Sequence, residues 1–202
     1  MMTKTYAFLA GSAAVIALAV ATGFVLLGEE DECRSGAVAG GGGSIGGPFT
    51  LVDETGTTVT DTDVITRPSL VYFGYTFCPD VCPMDAGRNG EAISLLQEKG
   101  YDVQGLFISI DPERDTPEAL AEFTDYLHPD MIGLTGTPEQ VKAASQAYKT
   151  YYKKQDGDEE YYLMDHSTFT YLVTPEDGFL DFFRREVPAQ ELAEKVGCFL
   201  DM

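Results

Sequence analysis

The apolar run Leu70-Val71-Tyr72-Phe73 leads without a break into Gly74-Tyr75-Thr76-Phe77-Cys78-Pro79-Asp80-Val81-Cys82-Pro83. This junction constrains the fold more than any other stretch. A buried strand must stop near Gly74, and a helix is expected to open at Pro83, because a proline at the first helical position forfeits no hydrogen bond. Two thiols fall in the turn between them. With Cys82 at the helix start and Cys78 in the turn, unpaired N–H groups and the positive end of the helix dipole lower a thiol pKa from about 8.5. On an ideal helix, positions i and i+4 hold their Cβ atoms roughly 5–6 Å apart, whereas a relaxed disulfide wants roughly 3.5–4.5 Å. The spacing suits two reduced sulfurs around an ion, and a modest rearrangement of the turn would allow oxidation. A purely stabilising disulfide is the weaker reading, since so small a loop restricts the unfolded chain little.

Charge narrows the partners. A formal net charge of -20 over 202 residues leaves nothing to neutralise phosphates, so nucleic acid is excluded. Such acidity serves solubility or a basic partner surface. The apolar share of 44% is that of an ordinary globular protein, and the length allows one domain with appendages.

The front of the chain reads as an appendage. Residues 5–28 carry no charge, and about 20 apolar residues suffice to cross a bilayer as a helix. Ala19-Val20-Ala21 would serve as a signal-peptide cleavage site, but the apolar stretch continues through Phe24-Val25-Leu26-Leu27, beyond the roughly 7–15 residues of a signal peptide's apolar core. Length favours a single transmembrane anchor over residues 5–28. Lys4 then keeps residues 1–4 in the cytoplasm and sends the remainder outward. The exported compartment is the bacterial periplasm, or the mitochondrial intermembrane space in a eukaryote. Residues 29–48 combine the acidic run Glu29-Glu30-Asp31-Glu32 with the glycine-rich Gly36–Ser44, a flexible tether that would span on the order of 25 Å as a coil. Cys33 lacks a lipobox before it, so lipid attachment there is not expected.

From residue 49 to 202 strand and helix patterns alternate. Phe49–Val52 and Thr57–Val59 flank a turn at Glu54-Thr55-Gly56. Met84–Lys99 reads as a helix stopped by Gly100, and Val103–Ile110 as a second central strand. Asp115 or Thr116 caps a helix that has Pro117 in its first turn, and Thr137-Pro138-Glu139 caps another running to about Tyr151. Met131–Leu134 is a short strand between them, and Lys153–Glu160 is a polar excursion. Thr168–Val173 and Phe179–Phe183 pair through a turn ending at Gly178, and Pro188–Phe199 closes the chain as a helix. This order predicts an α/β thioredoxin-like fold, a central sheet flanked by helices.

The chain has two histidines. His128, beside Pro129 at a helix end, reads as a surface residue. His166, in Asp165-His166-Ser167, stands directly before the strand Thr168–Val173. That strand end and the end of Leu70–Phe73 would share one edge of the sheet, bringing His166 within reach of Cys78 and Cys82. A structural zinc wants four protein ligands. Two thiolates and one imidazole suit copper, with Cu(I) satisfied by soft sulfur and Cu(II) recruiting a further ligand. Met84 and Met164 could add a thioether, but core packing is the better expectation for both. Asp80, Asp85 and Asp165 are candidates to orient His166 or to carry charge for a partner, against a plain reading as solvated carboxylates.

Four blocks then carry a family likeness: Tyr72–Pro83, Ile108-Ser109-Ile110-Asp111-Pro112-Glu113-Arg114-Asp115-Thr116-Pro117, Gly133-Leu134-Thr135-Gly136-Thr137 and Asp165-His166-Ser167. In this order, across the domain from about residue 49 to the C-terminus, they resemble the Sco/SenC family. The resemblance implies a membrane-anchored, thioredoxin-like, copper-binding protein serving the binuclear copper centre in subunit II of cytochrome c oxidase. It implies Cys78, Cys82 and His166 as metal ligands. Cys33 and Cys198 lie outside the family pattern. Cys33 is a candidate free or intermolecular thiol, which would link two chains as a homodimer, and Cys198 reads as a packed residue of the last helix.

The expected function is a copper metallochaperone, not an enzyme, passing copper to subunit II or another cuproprotein by ligand exchange. The rival is a thiol–disulfide reductase working through a redox disulfide of Cys78 and Cys82 on the same subunit or another exported protein. Against it, the chain lacks Cys-x-x-Cys spacing and has His166-Ser167 where such oxidoreductases carry a cis-proline. A peroxidase is a distant third, since no Thr precedes Cys78 at the required spacing.

Overall fold

The computed structural model describes Cys33, residues 45–157 and residues 161–202. The anchor expected at 5–28 and most of the linker at 29–48 lie outside the described residues, among which no helix is long and apolar enough to cross a membrane.

Strands β1 (Thr50–Asp53) and β2 (Thr58–Thr60) form the expected antiparallel hairpin. The Asp53 carboxylate closes its turn by accepting from the backbone N–H groups of Thr55 and Thr57, both at 2.9 Å. Helix α1 (Asp61–Val64) is one short turn. Strand β3 (Ser69–Gly74) and strand β4 (Gln104–Ser109) are buried at every position and run parallel, with Tyr72 beside Phe107. Helix α2 (Val81–Glu98) joins them, helix α3 (Pro117–Leu127) leads to β5 (Met131–Thr135), and α4 (Pro138–Ala147) follows. Thr116 caps α3 and Thr137 caps α4, each hydroxyl accepting from a backbone N–H three residues on. Beyond them come β6 (Tyr152–Lys154), β7 (Met164–His166), β8 (Thr170–Thr174), β9 (Gly178–Phe183) and α5 (Ala189–Leu200).

Seven strands form one sheet in the order β2-β1-β5-β4-β3-β8-β9, and β6 and β7 form a separate two-stranded ribbon. Strands β3, β4 and β5 are parallel, and β8 returns antiparallel to β3 with Tyr72 opposite Thr170. The C-terminal end of β3 and the N-terminal end of β8 therefore share one edge, as the sequence pattern requires.

Four boundaries differ from expectation. Helix α2 opens two residues earlier, at Val81, with Asp80 as its N-cap, so Pro83 is its third residue. Proline remains harmless there because that N–H has no partner within the helix. Helix α4 stops at Ala147, not near Tyr151. Lys149 takes a left-handed backbone, φ 55°, which breaks the ladder and swings Tyr148 into the core against Phe73, ring centroids 5.3 Å apart. The polar excursion begins as strand β6. His166 belongs to β7 and pairs with Tyr152, so it stands on its own ribbon and not at the head of β8.

One close approach carries a prediction. A Cβ on Gly133 would stand 2.7 Å from Leu120 Cβ and 2.9 Å from Glu54 Oε1. The Glu54 carboxylate is already held by the Gly133 N–H and the Thr124 hydroxyl, so it cannot swing away freely. Gly133→Ala is expected to cost about 1–3 kcal/mol by overpacking, measurable as a lowered urea midpoint.

Candidate metal centre

Cys78, Cys82 and His166 converge. One ligand atom from each lies within 4.8 Å of the others, close to the roughly 4.6 Å span set by two metal–ligand bonds of about 2.0–2.3 Å. Among the described residues no other group of this kind was found. Cys82 sits in the first turn of α2 and is fully buried, Cys78 is buried in the preceding loop, and His166 is partly exposed. The Cys82 backbone N–H donates to Cys78 Sγ at 3.3 Å, and His166 Nε2 lies 3.3 Å from Cys82 Sγ.

Local chemistry orients the imidazole. His166 Nδ1 is 2.9 Å from the Ser167 carbonyl oxygen, which can only accept. Nδ1 thus carries the proton, and Nε2 presents its lone pair to the sulfurs, the form a metal ligand needs. Tyr72 and Tyr75 hold the ring edge-on at centroid distances of 6.3 and 5.9 Å. Tyr75 also accepts the Met164 N–H on its hydroxyl at 3.2 Å, tying the cysteine loop to β7.

The two thiols are unlike. The hydrogen bond from Cys82 holds the Cys78 pKa well below the ordinary thiol value, against burial, with further help from the Asp80 and Cys82 amides. Cys82 moves up, because its proton is held against Cys78 and because it is buried. Of the metal-free pair, Cys78 is the more readily deprotonated sulfur.

The remaining candidates fall elsewhere. Asp165 precedes His166 on β7 but accepts from Gln155 Nε2 at 2.7 Å, and His166 Nδ1 is satisfied by a backbone carbonyl, so Asp165 does not orient the ring. Asp80 is exposed, and only its backbone amide serves Cys78. Asp85 is no solvated carboxylate: it is 3% exposed, accepts from the Tyr72 hydroxyl at 3.1 Å and faces Arg185 Nε at 3.5 Å. Met164 is buried as expected, but Met84 is 62% exposed and does not pack in the core. His128 is buried, not a surface residue: its Nδ1 accepts the Asp130 N–H at 3.0 Å, and burial lowers its pKa.

Cys78 and Cys82 are free, whereas Cys33 and Cys198 are disulfide-bonded. That overturns the expectation of a free Cys33 and leaves it no thiol for bridging two chains. Cys198 is more than a packing residue.

Behind the site lie residues that sequence reasoning passed over. Thr76 donates its N–H and hydroxyl to Asp115, which also accepts from Ser109. Burial raises the Asp115 pKa, Ser109 and Thr76 oppose the shift, and the neighbouring Asp111 adds to it. A carboxyl raised on folding contributes stability below the ordinary Asp pKa and loses it as pH climbs through the folded value. Asp115→Asn is expected to flatten that decline. The check is the urea midpoint of the metal-free protein against pH, wild type beside variant.

Known proteins resemble this chain along most of its length. The SCO1/SenC family profile matches residues 38–201. Protein SenC of Rhodobacter capsulatus is 52% identical over 203 residues, covering 98% of this chain and 91% of that protein. The crystal structure of Arabidopsis thaliana ScoI with copper bound superposes with a TM-score of 0.75 at 38% identity, over 79% of this chain and 100% of that one. Bradyrhizobium japonicum ScoI with copper bound gives 0.69 at 35% identity, over 76% and 98%. A thioredoxin-like domain with these thiols and this histidine on one edge, matched along nearly its whole length, belongs to the SCO1/SenC family.

Proposed function

We propose that this chain is a copper metallochaperone that loads copper on Cys78, Cys82 and His166 and delivers it to the binuclear copper centre of cytochrome c oxidase subunit II. The observation that carries the reading is the convergence of two sulfurs and an oriented imidazole lone pair from separate elements. A two-thiolate, one-imidazole set is soft, too few in ligands for structural zinc, and suited to three-coordinate Cu(I). The copper bound by the Arabidopsis and Bradyrhizobium relatives supports the same choice.

Geometry suggests the exchange route. Cys82 is the buried floor of the site and His166 its more open edge, so an acceptor's ligand approaches beside the imidazole and displaces the outer donors first. Loading requires reduced thiols, which makes the carrier dependent on redox state. Residues 5–28 would hold the domain at a membrane, with 29–48 as its tether in an exported compartment.

The test compares full-length protein, with Cys78 and Cys82 reduced, for copper uptake and for turnover on a disulfide substrate. One tightly held copper per chain and negligible turnover are expected. Failure to take up copper, with brisk turnover, would transfer the assignment to a thiol–disulfide reductase.

A further inference from the structure

The block Ile108–Pro117 supplies no metal ligand, yet its side chains reach both arms of the site. On one side Asp115 grips Thr76, two residues before Cys78. On the other, Tyr162, four residues before His166, donates its hydroxyl to Asp111 Oδ1 at 2.6 Å. Arg114 joins the arms. Its Nε donates to Asp111 Oδ2 at 2.6 Å, and its guanidinium carbon lies 3.5 Å from the Tyr162 ring centroid and 4.8 Å from that of Phe77, the neighbour of Cys78. Lys154, on β6, lies 3.6 Å from the same Tyr162 centroid and pairs with Glu113 at 3.2 Å.

The ribbon needs such a fixture. Strands β6 and β7 are three residues each and form no ladder with the main sheet, and an isolated two-stranded pair is marginal in water. The position of His166 relative to the thiols is therefore set by side-chain contacts rather than by sheet register. Besides the hydrogen bond from Met164 to Tyr75 and the contacts of the His166 ring itself with Tyr75 and Cys82, the stack through Arg114 links the two arms.

We propose that Asp111, Arg114 and Tyr162 are positioning residues that hold the His166 ribbon at metal-binding distance from the cysteine loop. This rests on the copper reading above. A planar guanidinium matters here: it stacks on two rings while its Nε engages a carboxylate, which the point charge of lysine cannot reproduce.

The experiment uses full-length Arg114→Ala, Arg114→Lys and Tyr162→Phe, with Gly133→Ala as a control destabilised away from the site. Two readouts are taken. Amide exchange of Met164, Ser167 and Gln155 is followed in the metal-free protein, because these N–H groups are bonded to the Tyr75 hydroxyl, the Tyr151 carbonyl and the Leu163 carbonyl. Copper affinity and the Cu(II)–thiolate charge-transfer spectrum are measured against His166→Ala. Arg114→Ala is expected to speed exchange at the three amides, to weaken copper binding about 10–100-fold, the usual effect of losing an outer-shell support, and to move the spectrum toward that of His166→Ala. Arg114→Lys should not rescue it, and Gly133→Ala should leave the spectrum unchanged. Wild-type affinity and spectrum in folded Arg114→Ala would overturn the proposal, as would an equal loss in the glycine control. If Arg114→Ala does not fold, Tyr162→Phe, which removes one hydroxyl, carries the same comparison. Should wild type take up no copper, the copper reading fails by itself, and unchanged amide exchange in the variants would then dismiss the brace.

Discussion

His166→Ala is expected to stay folded and to lose tight copper binding, with the Cu(II)–thiolate charge-transfer band abolished. The imidazole is partly exposed and meets the buried Tyr72 and Tyr75 only edge-on, so the space it leaves lies at the surface side of the core. Removing it leaves two sulfurs and no imidazole donor. The loss should exceed the about 10–100-fold that follows removal of an outer-shell partner, because here a bonding donor is gone. Cys82→Ser should be at least as severe, since it replaces a soft sulfur at the buried floor with a hard oxygen. Competition against a Cu(I) chelator measures both. Wild-type affinity in either variant would show that the metal is held elsewhere.

Phe73→Ala should produce the opposite pattern, a large loss of stability with the site intact. Phe73 is buried in β3 and packs on Tyr148 at 5.3 Å and Tyr171 at 6.2 Å, on the face turned away from Tyr72 and the imidazole. Truncating a buried phenylalanine costs about 3–5 kcal/mol, a large share of the about 5–15 kcal/mol that holds a domain together. Chemical denaturation should show a much lower midpoint, while the copper spectrum of the folded fraction remains that of wild type. A cost under about 1 kcal/mol would mean that the cavity collapses.

Much of the molecule was legible in the residues. Strand β3, the cysteine turn and, to within two residues, the start of α2 follow from an apolar run meeting Cys78, Cys82 and Pro83, since local propensity and burial point the same way there. The cap at Thr137 was clear and the other was narrowed to Asp115 or Thr116, because capping is a contact three residues long. Strand β6 was not. Its Tyr-Lys-Lys sequence has an exposed, charged face, and only pairing with β7 makes it a strand. Burial of Asp85 and His128 also escaped the sequence, because a carboxylate or imidazole goes inside only when distant groups satisfy it. The block Asp111-Pro112-Glu113-Arg114-Asp115 carried only a family likeness, because what its side chains reach lies far along the chain.

Residue types and their order by themselves determined the donor chemistry and the strand-to-helix frame, because sulfur, imidazole and a proline-led helix are properties of neighbours along the chain. Only the tertiary structure decided that His166 stands on its own ribbon, that its Nε2 faces Cys82, and that Arg114 fills the space between the two arms. Those are through-space relations between residues as far as 84 positions apart, set by how the sheet edge and its loops pack.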